Sequence, residues 1–149
     1  MPEAPTHVYP VEVGDGRTTE ELVAAGDYGY AQAAVTSDNF PTDRAAPARV
    51  RGVVLLEFAH AVAFEDVVAA ARQRGLERPT YEDALYFGIA YPEVQRERPI
   101  IFLHEPWLGF FGRRDVLCLW SNAGRRELGL EGFDDSWSPD YRFAFVVKG

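Results

Sequence analysis

The sequence predicts an α+β fold: one domain with an antiparallel or mixed sheet and two or three helices packed on one face. Three observations predict it. The last third holds short apolar runs separated by Gly- and Asn-rich turns, the pattern of antiparallel strands. Two internal stretches carry apolar residues at helical spacing behind a capping threonine or a phenylalanine. The chain of 149 residues is 47% hydrophobic and 26% charged, which suits one core burying roughly 70% of the unfolded chain's surface.

Taken in order, HVYPVEV at 7–13 alternates as a strand, and Pro10 makes it an edge strand, because proline has no N–H to give a second neighbour. In GDGRTTEELVAAG, Thr18 and Glu21 form a capping box and Gly26 supplies the stop of a short helix. Residues 27–41 read as an ordered loop with a helical turn at most, and 42–49 as the most flexible stretch. VRGVVLLEFAH at 50–60 is apolar on both faces, as a central strand should be.

A helix follows with Phe64, Val67, Val68 and Ala71 on one stripe, ended by Gly75. The next begins at Thr80, supported by Asp83, carries Ala84, Leu85, Gly88 and Ile89 on one face, and is interrupted by Pro92. The rest reads as β: PIIFLHEP, DVLCLW, RRELGLEGF and YRFAFVV, arranged as a meander.

Several function classes are disfavoured. A net charge of −8 works against general affinity for nucleic-acid phosphates, and Arg113, Arg114, Arg125, Arg126 and Arg142 read as solvated turn charges. Cys118 is alone, so no internal disulfide or multi-cysteine metal site forms, and its apolar neighbours mark it as a small core residue. The apolar stretch 53–64 is broken by Glu57 and His60 and falls short of the ~20 residues of a membrane helix. MPEAPTHVYP has no basic start and no hydrophobic stretch, so the expected location is cytoplasmic. Walker A, G-x-G-x-x-G and G-x-S-x-G motifs are absent, and no cofactor is expected.

The weak catalytic candidates are His60, His104 and Glu105. Neighbours in a strand point to opposite faces, so His104 and Glu105 cannot act as a pair. The same objection applies to Glu57 and His60. A cross-strand Glu105–Arg114 ion pair is the simplest expectation for that carboxylate, and a hydrogen-bonded strand-end role for the histidine. His60 and His104 would converge if their strands were neighbours, with Glu105 or Asp115 as a third ligand. No H-x-x-x-H or H-E-x-x-H spacing supports this, and no metal is expected.

Gly14-Asp15-Gly16-Arg17 ahead of a helix start resembles an anion cradle, but Glu20 and Glu21 already occupy that field. The acidic loop with Asp134, Asp135 and Asp140 lacks an EF-hand's ligand ladder. Trp107, Phe110 and Phe111 surround a turn flanked by Arg113 and Arg114, the composition of a protein contact surface.

The segments AGDYGYAQAAVTSDNFP, RPTYEDALYFGIAYPEVQRERPI and DYRFAFVVK resemble the recurring blocks of a family of small uncharacterised bacterial proteins. In that family an AG-x-Y-D opening, a helix ending in YPELQ and a final RF-x-x-V strand occur in this order. The resemblance implies one complete unit of bacterial type and brings no activity, cofactor or catalytic residue with it.

The preferred expectation is therefore a non-catalytic, cytoplasmic protein-binding or regulatory module that uses its sheet edge or the aromatic turn. One version is an acidic inhibitor or immunity-type protein for a basic partner, whose encounter the negative surface speeds. The alternative is a small hydrolase or ligand-processing enzyme using His104 or His60 with a neighbouring carboxylate.

Overall fold

The structure is a computed structural model and describes residues 7–109, 112–134 and 136–148. The elements run β1 (Tyr9–Val13), α1 (Thr19–Gly26), β2 (Tyr30–Ala31), β3 (Arg49–Leu56), α2 (Phe64–Gln73), β4 (Leu76–Glu77), α3 (Tyr81–Ala90), the one-turn α4 (Val94–Glu97), β5 (Ile100–Phe102), β6 (Trp107–Leu108), β7 (Arg114–Asn122), β8 (Arg125–Gly132) and β9 (Arg142–Val147). The sheet order is β1-β3-β9-β5-β7-β8-β2, with β4 beside β9 and β6 beside β7.

The sheet is mixed: β5 lies parallel to β9 and β2 parallel to β8, while the other pairs are antiparallel. The expected meander holds for β5, β7 and β8, but β9 leaves it and inserts between β3 and β5. The physical reason is that β9 is apolar on both faces, with Phe143, Ala144, Phe145 and Val146 all buried, and such a strand belongs at the centre.

Alternation along the central strands builds two cores. Val53, Ile100, Phe102, Leu117, Leu119 and Ala144 face one side, where Leu22 of α1 and Leu85 and Phe87 of α3 join them. Val54, Ile101, Val116, Cys118, Phe143 and Phe145 face the other, against Val67 and Ala71 of α2. The expectation that the helices share one face is thus corrected. A sheet centre apolar on both sides needs cover on both, and α2, with Phe133 and Trp137, provides the second layer.

The expected capping box at Thr18 forms, and the expected N-cap at Thr80 forms a second one. Thr18 N–H donates to Glu21 Oε1 (2.9 Å) and Glu21 N–H to Thr18 Oγ1 (3.2 Å); Thr80 N–H donates to Asp83 Oδ2 (2.8 Å) and Asp83 N–H to Thr80 Oγ1 (3.2 Å). Gly26 does not supply the left-handed stop, which falls on Asp27 at φ 52°. Gly26 is needed for a different reason: the ring of Tyr28 lies where its Cβ would be.

β3 ends at Leu56, so Glu57 and His60 lie beyond the strand assigned to them, and Glu57 pairs with Arg98 (3.3 Å). At the far edge, β1 pairs with β3 alone among the described residues, and Tyr91 Oη donates to the Pro10 carbonyl (2.6 Å). Among the described residues, no helix is long and apolar enough to cross a membrane.

Candidate functional site

The His104 region is a closed structural joint. Continuing the β5–β7 register would set Glu105 opposite Arg114, yet Leu108 occupies that place, so three residues are looped out between β5 and β6. The His104 ring fills the gap. Its Nε2 accepts from the Leu117 N–H (3.0 Å) and its Nδ1 donates to the Glu105 carbonyl (2.6 Å), which fixes the neutral, Nδ1-protonated tautomer. Only 1% of the residue is exposed, and burial pulls its pKa down to about 4.

Arg78 seals the same loop. Its guanidinium donates to the carbonyls of Leu103 (2.8 Å) and His104 (2.7 Å) and pairs with Glu105 (3.1 Å). Glu105 therefore meets Arg78 and not Arg114, which pairs with Asp134. The loop moved the carboxylate out of the register that the strand would have imposed. His60 is exposed, its Nδ1 3.1 Å from the Ala61 carbonyl, beside the Val62–Trp137 bridge on the α2 face. His104 instead faces Phe40 and Tyr81 on the α1/α3 side. The two histidines do not converge. Among the described residues, no group of three His, Cys, Asp or Glu is placed to hold a metal ion.

In the aromatic turn, Trp107 packs on Phe40 (5.4 Å between ring centres) and Leu108 is 66% exposed. Arg113 pairs with Asp115 (2.6 Å), so both arginines of this turn have a carboxylate beside them. Phe110, Phe111 and Asp135 lie outside the described residues.

Arg126 and Arg142 are buried, contrary to the reading of these arginines as solvated turn charges. Arg126 shares its strand face with Leu128 and Leu130 and points inward with them. It donates to the carbonyls of Gly26 (2.6 Å) and Gly88 (2.8 Å) and to Gln95 Oε1 (3.0 Å), with its cation over the Tyr28 ring. Those carbonyls lie in the last turns of α1 and α3, so the negative ends of two helix dipoles face one guanidinium. This is a helix clamp built on neutral acceptors.

A different arrangement occupies the sheet's far edge. Two depressions of about 420 and 270 Å³ lie between β1, the 43–48 segment and α3 and share Val13 as a lining residue. The first has apolar walls from Pro10, Ile89 and Ala90, with Glu12 and Asp15 alongside. The second adds Asp43 and Glu82. The residues lining the two depressions include Glu12, Asp15, Asp43 and Glu82 with Arg17 and Arg49.

Asp15 is anchored: Arg17 pairs with it at 2.7 Å, Tyr86 Oη donates to it (2.7 Å), and Arg17 beside it holds the carboxyl down to about 2. Glu82 Oε2 accepts from the Asp43 N–H (3.2 Å), and partial burial raises its pKa. Glu12 is exposed and forms no ion pair among the described residues. The Gly14–Arg17 turn, weighed as an anion cradle, contributes Asp15 to this acidic groove.

Comparison of the chain with protein-family profiles, with curated proteins and with solved structures gave no match.

Proposed function

We propose that the protein is a binding or regulatory module that engages a basic protein through the acidic groove beside β1, in the manner of an inhibitor or immunity-type protein. The observation that carries this reading is composition: four acidic residues against two arginines among those lining the depressions beside β1, on a chain whose net charge is −8. A negative groove with low-dielectric walls concentrates positive partners and raises the rate of encounter. The aromatic turn ranks second, because Asp115 and Asp134 already offset its arginines. The state of His104 favours binding over acid–base chemistry there, since a proton carrier needs a free ring nitrogen within reach of substrate.

The test is affinity capture on the immobilised protein, comparing wild type with Glu12→Lys and Arg114→Glu. The expected outcome is a basic partner held at low salt, released as ionic strength rises, and lost from Glu12→Lys alone. A partner lost from Arg114→Glu and kept by Glu12→Lys would move the site to the turn.

A further inference from the structure

We infer that the groove's occupant is an extended segment of the partner, which adds a strand to the free edge of β1 and lays a lysine or arginine side chain toward Glu12. The inference rests on the groove being the binding site. Among the described residues, β1 is the last strand on its side of the sheet and pairs only with β3. Pro10 brings no N–H, and its carbonyl is taken by Tyr91, so that end of the edge is closed to a new strand. Backbone groups along a strand point alternately to its two sides, and Pro10 turns to the open one. Glu12, two residues on, therefore presents its N–H and C=O to the same open edge, next to its own unpaired carboxylate.

These are the elements of strand addition: main-chain hydrogen bonds for affinity and a flanking pocket for selection of a side chain. Pro10 and Glu12 have the strand parity opposite to the core-facing Val11 and Val13, so the methylene stem of a long basic residue beside them would lie over Pro10 with its charge at Glu12. The opposite edge differs on both counts. β2, the end strand there, offers only two residues of edge, and the neighbouring depression is lined by Arg96, Arg125 and Arg126 with only Asp27 and Glu93 as carboxylates. A basic strand is drawn to β1.

The experiment is an NMR titration of the whole protein with three capped peptides: Val-Lys-Val-Lys-Val, Val-Glu-Val-Glu-Val, and the lysine peptide with its central amide N-methylated. The lysine peptide is expected to shift the amides of Glu12, Val13, Ile89 and Ala90 and to slow hydrogen exchange at the Glu12 amide. Glu12→Gln should weaken this binding about threefold, the worth of one exposed ion pair. The glutamate peptide should not bind, and the methylated peptide should lose the Glu12 protection. Equal binding of the lysine and glutamate peptides overturns the charge selection, and equal binding of the methylated peptide overturns the added strand. Suppose a full-length partner is captured in a Glu12-dependent way while no peptide alters Glu12 exchange: strand addition is then rejected and the groove survives as the site. Loss of both rejects the groove itself.

Discussion

The joint at the end of β5 and the groove beside β1 use the same kinds of polar group to opposite ends. At the joint, both nitrogens of His104 are bonded and Arg78 ties the neighbouring carbonyls. Along β1, Glu12 has no ion-pair partner among the described residues and faces solvent. Buried polar groups must be satisfied within the fold or they cost it stability, so a saturated histidine holds structure. Exposed groups with valences to spare cost the fold nothing and remain for a ligand. Residue type alone marked His104 as the better site, and the bonding state reverses that ranking.

The sharpest way to show what buried bonding is worth is to remove Arg126. Arg126→Leu leaves the carbonyls of Gly26 and Gly88 and the Gln95 side chain without their donor, and both helix ends without a cation. The expected loss is about 3–5 kcal/mol, read as a lower urea midpoint at unchanged m. A loss below about 1 kcal/mol would mean that water replaces the clamp.

His104→Leu should come next, at about 3 kcal/mol near neutral pH, because the Leu117 N–H and Glu105 C=O lose their partner. Its pH dependence is the more specific signature. The folded-state pKa of His104 lies at about 4, below the 6.5 of a free imidazole, so the unfolded chain takes up the proton first. The wild type is fully stabilised above 6.5 and loses roughly 3 kcal/mol as pH falls from 6.5 to 4. The leucine variant lacks that slope, and the two stability curves should converge on acidification. Asp15, with its carboxyl depressed to about 2, enters only at lower pH and adds little at so exposed a position. Parallel wild-type and variant curves over this range would show that His104 is not held neutral.

The main elements could be read from the chain because each carries its own local signal. Thr18 with Glu21 and Thr80 with Asp83 marked helix starts, and the Phe64, Val67, Val68, Ala71 stripe marked α2. What escaped depends on contacts between distant segments. β2, β4 and β6 have two residues each, too few to show a period. The three extra residues within 103–106 become visible only when two pairings with β7 are compared. Two signals were present and underused. The two-sided apolarity of YRFAFVV already argued for a central strand, and the parity of Arg126 with Leu128 and Leu130 already pointed it inward. Pro10 did mark β1 as an edge, but the groove beside it needs residues from 43–48 and α3 that no local pattern connects.

A smaller effect tests packing around the clamp. A Cβ at Gly88 would overlap the Tyr28 hydroxyl, so Gly88→Ala should cost about 2 kcal/mol. That hydroxyl is buried and meets no neighbour at hydrogen-bonding geometry, and Tyr28→Phe removes the obstruction. The double variant Gly88→Ala/Tyr28→Phe should recover part of the loss in the same urea experiment. Full additivity of the two changes would place the strain elsewhere.

The smallest effects on stability are expected where ligand contact is proposed. The Glu105 side chain is 90% exposed, and its ion pair with Arg78 adds to a guanidinium already held by two carbonyls, so Glu105→Ala should stay within about 0.5 kcal/mol of wild type. Glu12→Gln should also be silent in urea, since no partner is lost. The two substitutions then part company: Glu105→Ala should leave binding of a basic strand unchanged, whereas Glu12→Gln should weaken it. A residue that can be altered at no cost to folding but at a cost to binding is held in place by its partner's chemistry and not by the fold. Equal binding by both variants would reduce Glu12 to one more solvated carboxylate.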